Sequence, residues 1–222
     1  MIKLEKTEIF GWEAAIRGMR NPMNSWDKSD SGWGIVDQID TGVEPINVSG
    51  YIIGENDLNL MKKLSKAGND HAKFLRMINV TVDITAPLYW WKEHDQYKVA
   101  TVTNSTSTMH KIHDKEFTLD DFSHEHLKII SMQSLVDTIE TMNMYRQRFL
   151  ENKDKRDWRQ MIQLLPSSYN QKRTVQLNYQ VLKSMYFARK NHKLDEWHDF
   201  CAWCEELPYF KEICLQEGDV ND

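Results

Sequence analysis

Residues 78–94 read Ile78-Asn-Val-Thr-Val-Asp-Ile-Thr-Ala-Pro87-Leu-Tyr-Trp-Trp-Lys-Glu-His94. From Ile78 to Ile84 apolar and polar side chains alternate strictly, and the apolar ones are β-branched, which is the period-2 signature of a half-buried strand. Thr85-Ala-Pro87 ends that strand. Proline has no backbone N–H to lose and a φ suited to a first helical turn, so a helix is expected over Leu88–His94.

Upstream, Glu13–Arg20 reads as a short helix that stops at Asn21-Pro22, because proline disfavours a helical residue before it. Arg17 and Arg20 share a face of it. Residues 21–56 are rich in Asn, Ser, Asp and Gly, with Trp26, Trp33 and Tyr51 among them, and read as irregular loop pinned by aromatics. Asp57–Ala67 carries Leu58, Met61 and Leu64 at helical spacing, with a cap at Asn56 or Asp57 and Gly68 where a left-handed residue is wanted.

Downstream, Lys98–His110 is hydroxyl-rich, starting extended and becoming a loop. Thr118-Leu-Asp-Asp121 resembles a capping box ahead of a long helical region whose stripe is Leu135, Ile139, Met142, Tyr145 and Phe149. A helix is expected over Lys155–Leu164, stopping before Pro166. From Lys172 to Lys190 helical spacing again holds, which places Asn178 and Arg189 on one face about 16 Å apart. Leu194, Trp197, Cys201 and Cys204 mark a last helix.

The 222 residues carry 28 Lys and Arg against 33 Asp and Glu, a net charge of −5, so no positive field exists to hold a nucleic-acid polymer non-specifically. With 41% hydrophobic residues and only 9 Gly and 5 Pro the composition is globular. No uncharged apolar run reaches the length that spans a bilayer, and the start Met1-Ile-Lys-Leu-Glu-Lys lacks a secretory apolar region. A cytoplasmic protein without a membrane partner is expected. Cys201, Cys204 and Cys214 are odd in number and late, unlike a disulfide framework.

Cys201-Ala-Trp-Cys204 has metal-site spacing, but it lies on an apolar stripe without a second C-x-x-C and reads as core, so no metal is expected. His110 with His113, and His124 with His126, read as solvated surface. Neither a phosphate-cradling glycine loop nor a nucleophile elbow occurs. Asn104-Ser-Thr-Ser-Thr-Met-His110 stands out instead, a run of small hydrogen-bonding groups able to meet an anion. Arg189 stands out as a guanidinium on a largely apolar face. Its acceptor is either a protein carboxylate or a bound phosphate or carbonyl, which Arg grips in bidentate fashion.

In order and nearly end to end, these segments resemble the flavin-dependent thymidylate synthase family, ThyX. Ala15-Ile-Arg-Gly-Met-Arg20 is similar to its early Arg-bearing helix, and Leu60 through Gly68 to the helix that precedes its central strand. Asn79–Pro87 resembles the strand and Ala-Pro turn before its signature. Leu165-Pro166, Asn178 and Arg189 match, without a gap, its Leu-Pro, helix Asn and substrate-binding Arg. Of the family signature R-H-R-x-x-S-x-N-x-x-S-x-R-Y, Asn104 and Ser107 are kept. Tyr97, Lys98 and Val99 replace the R-H-R, Val102 the first Ser, Met109 the next Arg and His110 the Tyr. Ile162 stands where the family has an Arg before Leu-Pro, with Arg159 one turn away and Arg173 also available.

The resemblance implies an α+β, ThyX-like single domain over residues 1–222, with a central antiparallel sheet flanked by long helices. It implies a homotetramer in which FAD and dUMP meet at subunit interfaces. Methylenetetrahydrofolate supplies the methylene and a reduced nicotinamide is a further cosubstrate, so that dUMP becomes dTMP. By the same likeness Arg189 is catalytic and contacts the pyrimidine, Ser107 and Arg159 bind substrate, and Asn104, Asn178 and Lys98 bind flavin. The missing arginines leave two alternatives: a flavoprotein acting on a different pyrimidine nucleotide, and a non-catalytic nucleotide-binding protein.

Overall fold

The computed structural model describes residues 2–39, 42, 44 and 46–216. In chain order the main elements are β1 (Lys3–Phe10), α1 (Trp12–Arg20), β2 (Gly32–Ile39), β3 (Ile46–Ile52), α2 (Glu55–Lys66), β4 (Asn79–Pro87) and α3 (Leu88–His94). There follow β5 (Val102–Ser105), α4 (Ile129–Asn152), α5 (Lys155–Leu164), β6 (Asn170–Asn178), α6 (Tyr179–Arg189), α7 (Asp195–Glu206) and α8 (Phe210–Cys214). Strands β1, β4, β6 and β5 form an antiparallel sheet in that spatial order, with β4 paired to β6 from Asn79↔Asn178 to Pro87↔Asn170. The architecture is the expected α+β one, a central antiparallel sheet flanked by helices, of which α4 is 24 residues long.

Alternation along β4 turns Val80, Val82, Ile84 and Ala86 to one side, where Val175 and Leu177 of β6 join them, all buried. They pack with Ile16 of α1, Trp90 and Trp91 of α3, Leu182 and Met185 of α6 and Trp197 of α7 in one hydrophobic cluster. Each such side chain contributes about 1.5–3 kcal/mol on leaving water, and this is what fixes the helices to that face. The opposite face is polar, as an antiparallel sheet open on one side permits. There Asp83 accepts a hydrogen bond from Thr174 Oγ1 at 2.6 Å and pairs with Lys172 Nζ at 3.0 Å. Helices α4 and α5 build a second cluster from Leu135, Ile139, Met142 and Met161 around Ile112, Phe117 and Phe122.

Several expectations are corrected. Residues 172–190 are not one helix: β6 runs to Asn178, and α6 begins only at Tyr179. Asn178 is extended (φ −123°, ψ 168°), so it sits at the helix mouth rather than on a helical face with Arg189. The segment read as irregular contains the β2–β3 hairpin, and β1 went unread. Helix α2 starts at Glu55 after Gly54, and Asp30, from the loop that precedes β2, caps it, accepting from the amides of Asn56 and Asp57. Gly68 is left-handed as expected (φ 100°). The capping box at Thr118 and Asp121 forms, but it opens a single 3-10 turn, and α4 begins later, at Ile129. The three cysteines are free and buried, and no metal-binding cluster occurs among the described residues. Nor is any described helix long and apolar enough to cross a membrane.

Candidate functional site

Helix α3 organises the site because Pro87 carries the chain directly from the central strand into it. Its buried Trp90 lies 4.9 Å from Trp91, 4.7 Å from Trp197 and 5.1 Å from His94, ring to ring. Aromatic pairs at these separations stiffen the cluster beyond their burial. Burial lowers the pKa of His94 to about 4, Asp95 opposing and Arg173 reinforcing the shift, so the imidazole is neutral near pH 7. The chain that leaves this aromatic plug presents Glu93, Asp95 and Tyr97.

Two arginines dock on those groups. Arg189, in the last turn of α6, donates from Nε to Tyr97 Oη at 2.9 Å and from Nη1 to Glu93 Oε2 at 2.6 Å. Its guanidinium lies 4.8 Å from the Trp197 ring centroid and 5.5 Å from that of Tyr97. Glu93 Oε2 also accepts from Trp197 Nε1 at 3.2 Å and lies 3.1 Å from His192 Nε2. Arg173, on the core-facing side of β6, lies 4.1 Å over Trp91 and donates from Nε to Gln171 Oε1 and from Nη1 to Asp95 Oδ1 at 2.7 Å. Both arginine side chains are nearly buried, 14% and 13% exposed, yet Nη2 of each has no acceptor among the described residues. Stacked, charge-compensated guanidinium groups of this kind keep their planes fixed while retaining a donor for a ligand.

The hydroxyl-rich segment joins the same network. β5 is the sheet's edge strand, with Asn104 opposite Thr174 and Ser105 opposite Arg173. Gln171 Nε2 donates to Thr106 O at 2.6 Å, so one buried carboxamide ties the end of β5 to Arg173. Ser107 Oγ accepts the amides of Met109 and His110, and Trp158 Nε1 of α5 donates to Met109 O at 3.0 Å.

The residues singled out in the sequence are thus placed unequally. Arg189, with Lys98 next to its partner Tyr97, lies on the α3 side; Ser107 follows Thr106, whose carbonyl accepts from the Gln171 that Arg173 also contacts, but among the described residues its own hydroxyl bonds only within its turn. By strand alternation Asn104 instead shares the open face of the sheet with Thr174. Asn178 is buried and spends its side-chain carbonyl on the Val181 amide as the N-cap of α6. Lys98 and Arg159 are exposed, Arg159 one residue beyond Trp158 on α5. Of the two acceptors open to Arg189, a protein carboxylate is present, Glu93. Glu93, Asp95 and Gln171 escaped sequence reasoning: acidic residues at a helix end and a glutamine on a strand look solvated until the fold brings arginines to them.

No protein-family model matches the sequence, and no curated protein matches it. Among solved structures, two of thymidylate synthase X (ThyX) from Helicobacter pylori, each with FAD and dUMP, have the same fold. Each superposes at a TM-score of 0.64 with 14% sequence identity, covering 96% of this chain and 97% of its own. The fold is ThyX-like.

Proposed function

We propose that this chain is a divergent flavin-dependent thymidylate synthase, a homotetramer that reductively methylates dUMP to dTMP with methylenetetrahydrofolate and a reduced nicotinamide as cosubstrates. One observation carries the reading. In a ThyX-like fold, Arg173 and Arg189 are each stacked on an indole and each anchored to a carboxylate at the end of α3, beside the β5 edge and its hydroxyl-rich continuation. Each leaves one terminal amino group for an anionic or carbonyl oxygen, the acceptors that a pyrimidine nucleotide offers.

The chain's own residues then have distinct tasks. Glu93 and Tyr97 orient Arg189, whose uncommitted Nη2 donates to the pyrimidine carbonyl and stabilises charge that develops as C5 becomes nucleophilic. Ser107 accepts two backbone amides and still has its hydroxyl proton to donate to substrate. Arg159 and Lys98 supply exposed positive charge for phosphates. Asn178 acts by fixing the start of the helix that carries Arg189.

The donor set fits a flavin in chemistry. Asn104 is exposed on an edge strand whose outer side takes no partner strand in the sheet, and Lys98 follows closely on α3; because Asn104 faces the open side of the sheet and Lys98 the α3 side, the two meet one flavin only if they come from different protomers of the proposed homotetramer. Unpaired strand groups, a carboxamide and an ammonium suit a polar ring edge and a diphosphate. FAD, when bound, supplies hydride chemistry that no side chain provides. Asn178 fits less directly, since its carbonyl is already used in the cap.

A flavoprotein acting on a different pyrimidine nucleotide is favoured by a single feature: Tyr97, at the position of the family's first signature arginine, is occupied by Arg189. Incubating the purified protein with dUMP, FAD, methylenetetrahydrofolate and a reduced nicotinamide tests the main reading. Formation of dTMP supports it; a yellow protein that forms none supports the second reading; a colourless protein that forms none and does not take up FAD overturns both.

A further inference from the structure

The β2–β3 hairpin stands apart from both hydrophobic clusters: of the apolar residues in its two strands, only Tyr51 packs against either. A two-stranded ribbon without a core behind it is marginally stable in water. Its register sorts the side chains into two unlike faces. Trp33 lies opposite Tyr51 and Ile35 opposite Ser49, so one face is aromatic and polar. The other carries Ile46, Val48 and Ile52 of β3 and Ile39 of β2. A bulge between Ile35 and Asp37 turns Val36 to that second face, over Gly50. Gly34 and Gly50 are opposite one another, and a Cβ on them would lie 2.6 Å from Ile52 and 2.8 Å from Val36. The two glycines thus let the aliphatic side chains lie flat across the ribbon.

That flat face is open. Val36, Ile39 and Ile46 are 53%, 52% and 57% exposed, and Ile52 is 43% exposed. Single exposed apolar residues are ordinary, but side chains gathered on one face of a thin ribbon form a contiguous patch, and such patches mark interaction sites. Asp37 is the one charged residue of the strands on this face, and no Lys, Arg or His occurs anywhere from Gly32 to Ile52. The ribbon therefore has no cation with which to hold a phosphate, a nucleic acid or an anionic lipid surface.

A flat aliphatic sheet face is complementary to another of its kind, and two such faces pack about 10 Å apart in a sandwich. We infer that this face packs on its counterpart in a second copy of the chain, the two hairpins forming a small sandwich between subunits. Two properties select a second copy as the occupant. With its other face aromatic and polar, the ribbon depends on a cover that is present whenever the chain is, and another copy always is. The patch offers on the order of a few hundred Å² per copy, against about 800 Å² per partner in a standard interface. That is too little to hold a separate protein, yet it adds strongly between chains already joined elsewhere, because the second contact is then intramolecular. In this the inference rests on the homotetramer proposed above and assigns it one of its contacts.

Analytical ultracentrifugation of the full chain tests the inference, with the double substitution Val36→Lys and Ile46→Lys on the aliphatic face and Ile35→Lys on the opposite face as the control. Wild type and control are expected to form the same assembly. The double variant is expected to fall apart into smaller species at a protein concentration about tenfold or more higher, because each lysine would be buried without a partner. The substituted side chains are exposed, so the melting temperature of the dissociated chain should hold. If the double variant fails to fold, Val36→Ser with Ile46→Ser takes its place, with weakened assembly again expected. An assembly that the aliphatic-face variant leaves unchanged, or that Ile35→Lys weakens equally, overturns this contact and leaves the homotetramer standing. A wild type that stays monomeric up to about 100 μM overturns both. Co-sedimentation of the wild type with phosphatidylcholine vesicles, lost in the double variant, would assign the face to a lipid surface and overturn the inference as well.

Discussion

Arg189 Nη1 and Glu93 Oε2 meet at 2.6 Å, joining the last turn of α6 to the end of α3. That contact makes the most suggestive arginine of the sequence an oriented group rather than a free one. Its remaining donor points where its neighbours let it, and those neighbours are Tyr97 and Trp197.

Removing the carboxylate should therefore be felt twice. Glu93→Ala leaves Arg189 Nη1 and Trp197 Nε1 without an acceptor, and the unfolding free energy is expected to fall by about 2 kcal/mol. In the proposed enzyme, dUMP affinity falls about tenfold as Arg189 loses its orientation. Glu93→Gln, which keeps an oxygen, should lose less of both. Urea denaturation and dUMP titration of the two variants check this.

Asp57 governs acid stability. Burial pushes its carboxyl up, but hydrogen bonds from Ser31, Ser29 and Arg20 outweigh that and hold its pKa below the ordinary value. The folded state thus binds the proton less readily than the unfolded chain. Its stabilisation is present above the unfolded carboxylate pKa near 3.9 and is lost as pH falls through the lower folded value. Asp57→Asn leaves Arg20 buried without its anion and is expected to cost about 3–5 kcal/mol at pH 7. Chemical denaturation at pH 7 and pH 3 should show the difference between wild type and variant shrinking toward the acid end.

His94 acts in the next pH window. Its folded pKa of about 4 lies below the unfolded value near 6.5, so the unfolded chain takes up a proton that the folded one refuses. Stability should decline as pH falls from about 6.5 to 4, by up to roughly 3 kcal/mol from this residue, and the contribution levels off below that. His94→Phe should flatten this part of the profile. Thermal melts between pH 4 and pH 7 follow it.

The thiols should be inert. Burial, with help from Glu205, pushes Cys201 up to about 11, and burial raises Cys204 well above the usual thiol value. Since the thiolate is the reactive form, native protein should react slowly with an alkylating reagent, and all three cysteines should react once it is unfolded. Mass spectrometry after brief alkylation counts them.

Much of the fold was legible where local pattern and tertiary role agree. Strand β4 alternates cleanly, Pro87 opens α3, and Leu164 precedes a helix stop, so these read correctly from the chain. Strand β6 did not, because Val175, Asn178 and Leu182 fall at helical spacing across its end while its own alternating inward set, Gln171, Arg173, Val175 and Leu177, is half polar, and Asn178 passes the chain into α6 with no turn residue between. Strand β1 was hidden by a bulge between Glu5 and Glu8, where Lys6 takes a positive φ of 53°, and by charged side chains along it. The β2–β3 hairpin, with Gly32, Gly34 and Gly50 in its strands, has the composition of a loop. At the site, Arg189 could be named from the sequence, but Glu93 and Gln171 could not. Their partners lie 96 and 65 residues away in sequence, and only the assembled sheet and helices bring them together.

The central claim is that Arg189, held by Glu93, faces a nucleotide beside a bound flavin. Its most direct test is the absorption band near about 450 nm of protein loaded with FAD, recorded as dUMP is added to wild type and to Arg189→Gln. A flavin band that dUMP perturbs saturably in the wild type, with the half-saturating concentration raised about tenfold or more by the substitution, is the predicted result. A chain that takes up no FAD, or a dUMP response identical in both proteins, would contradict it.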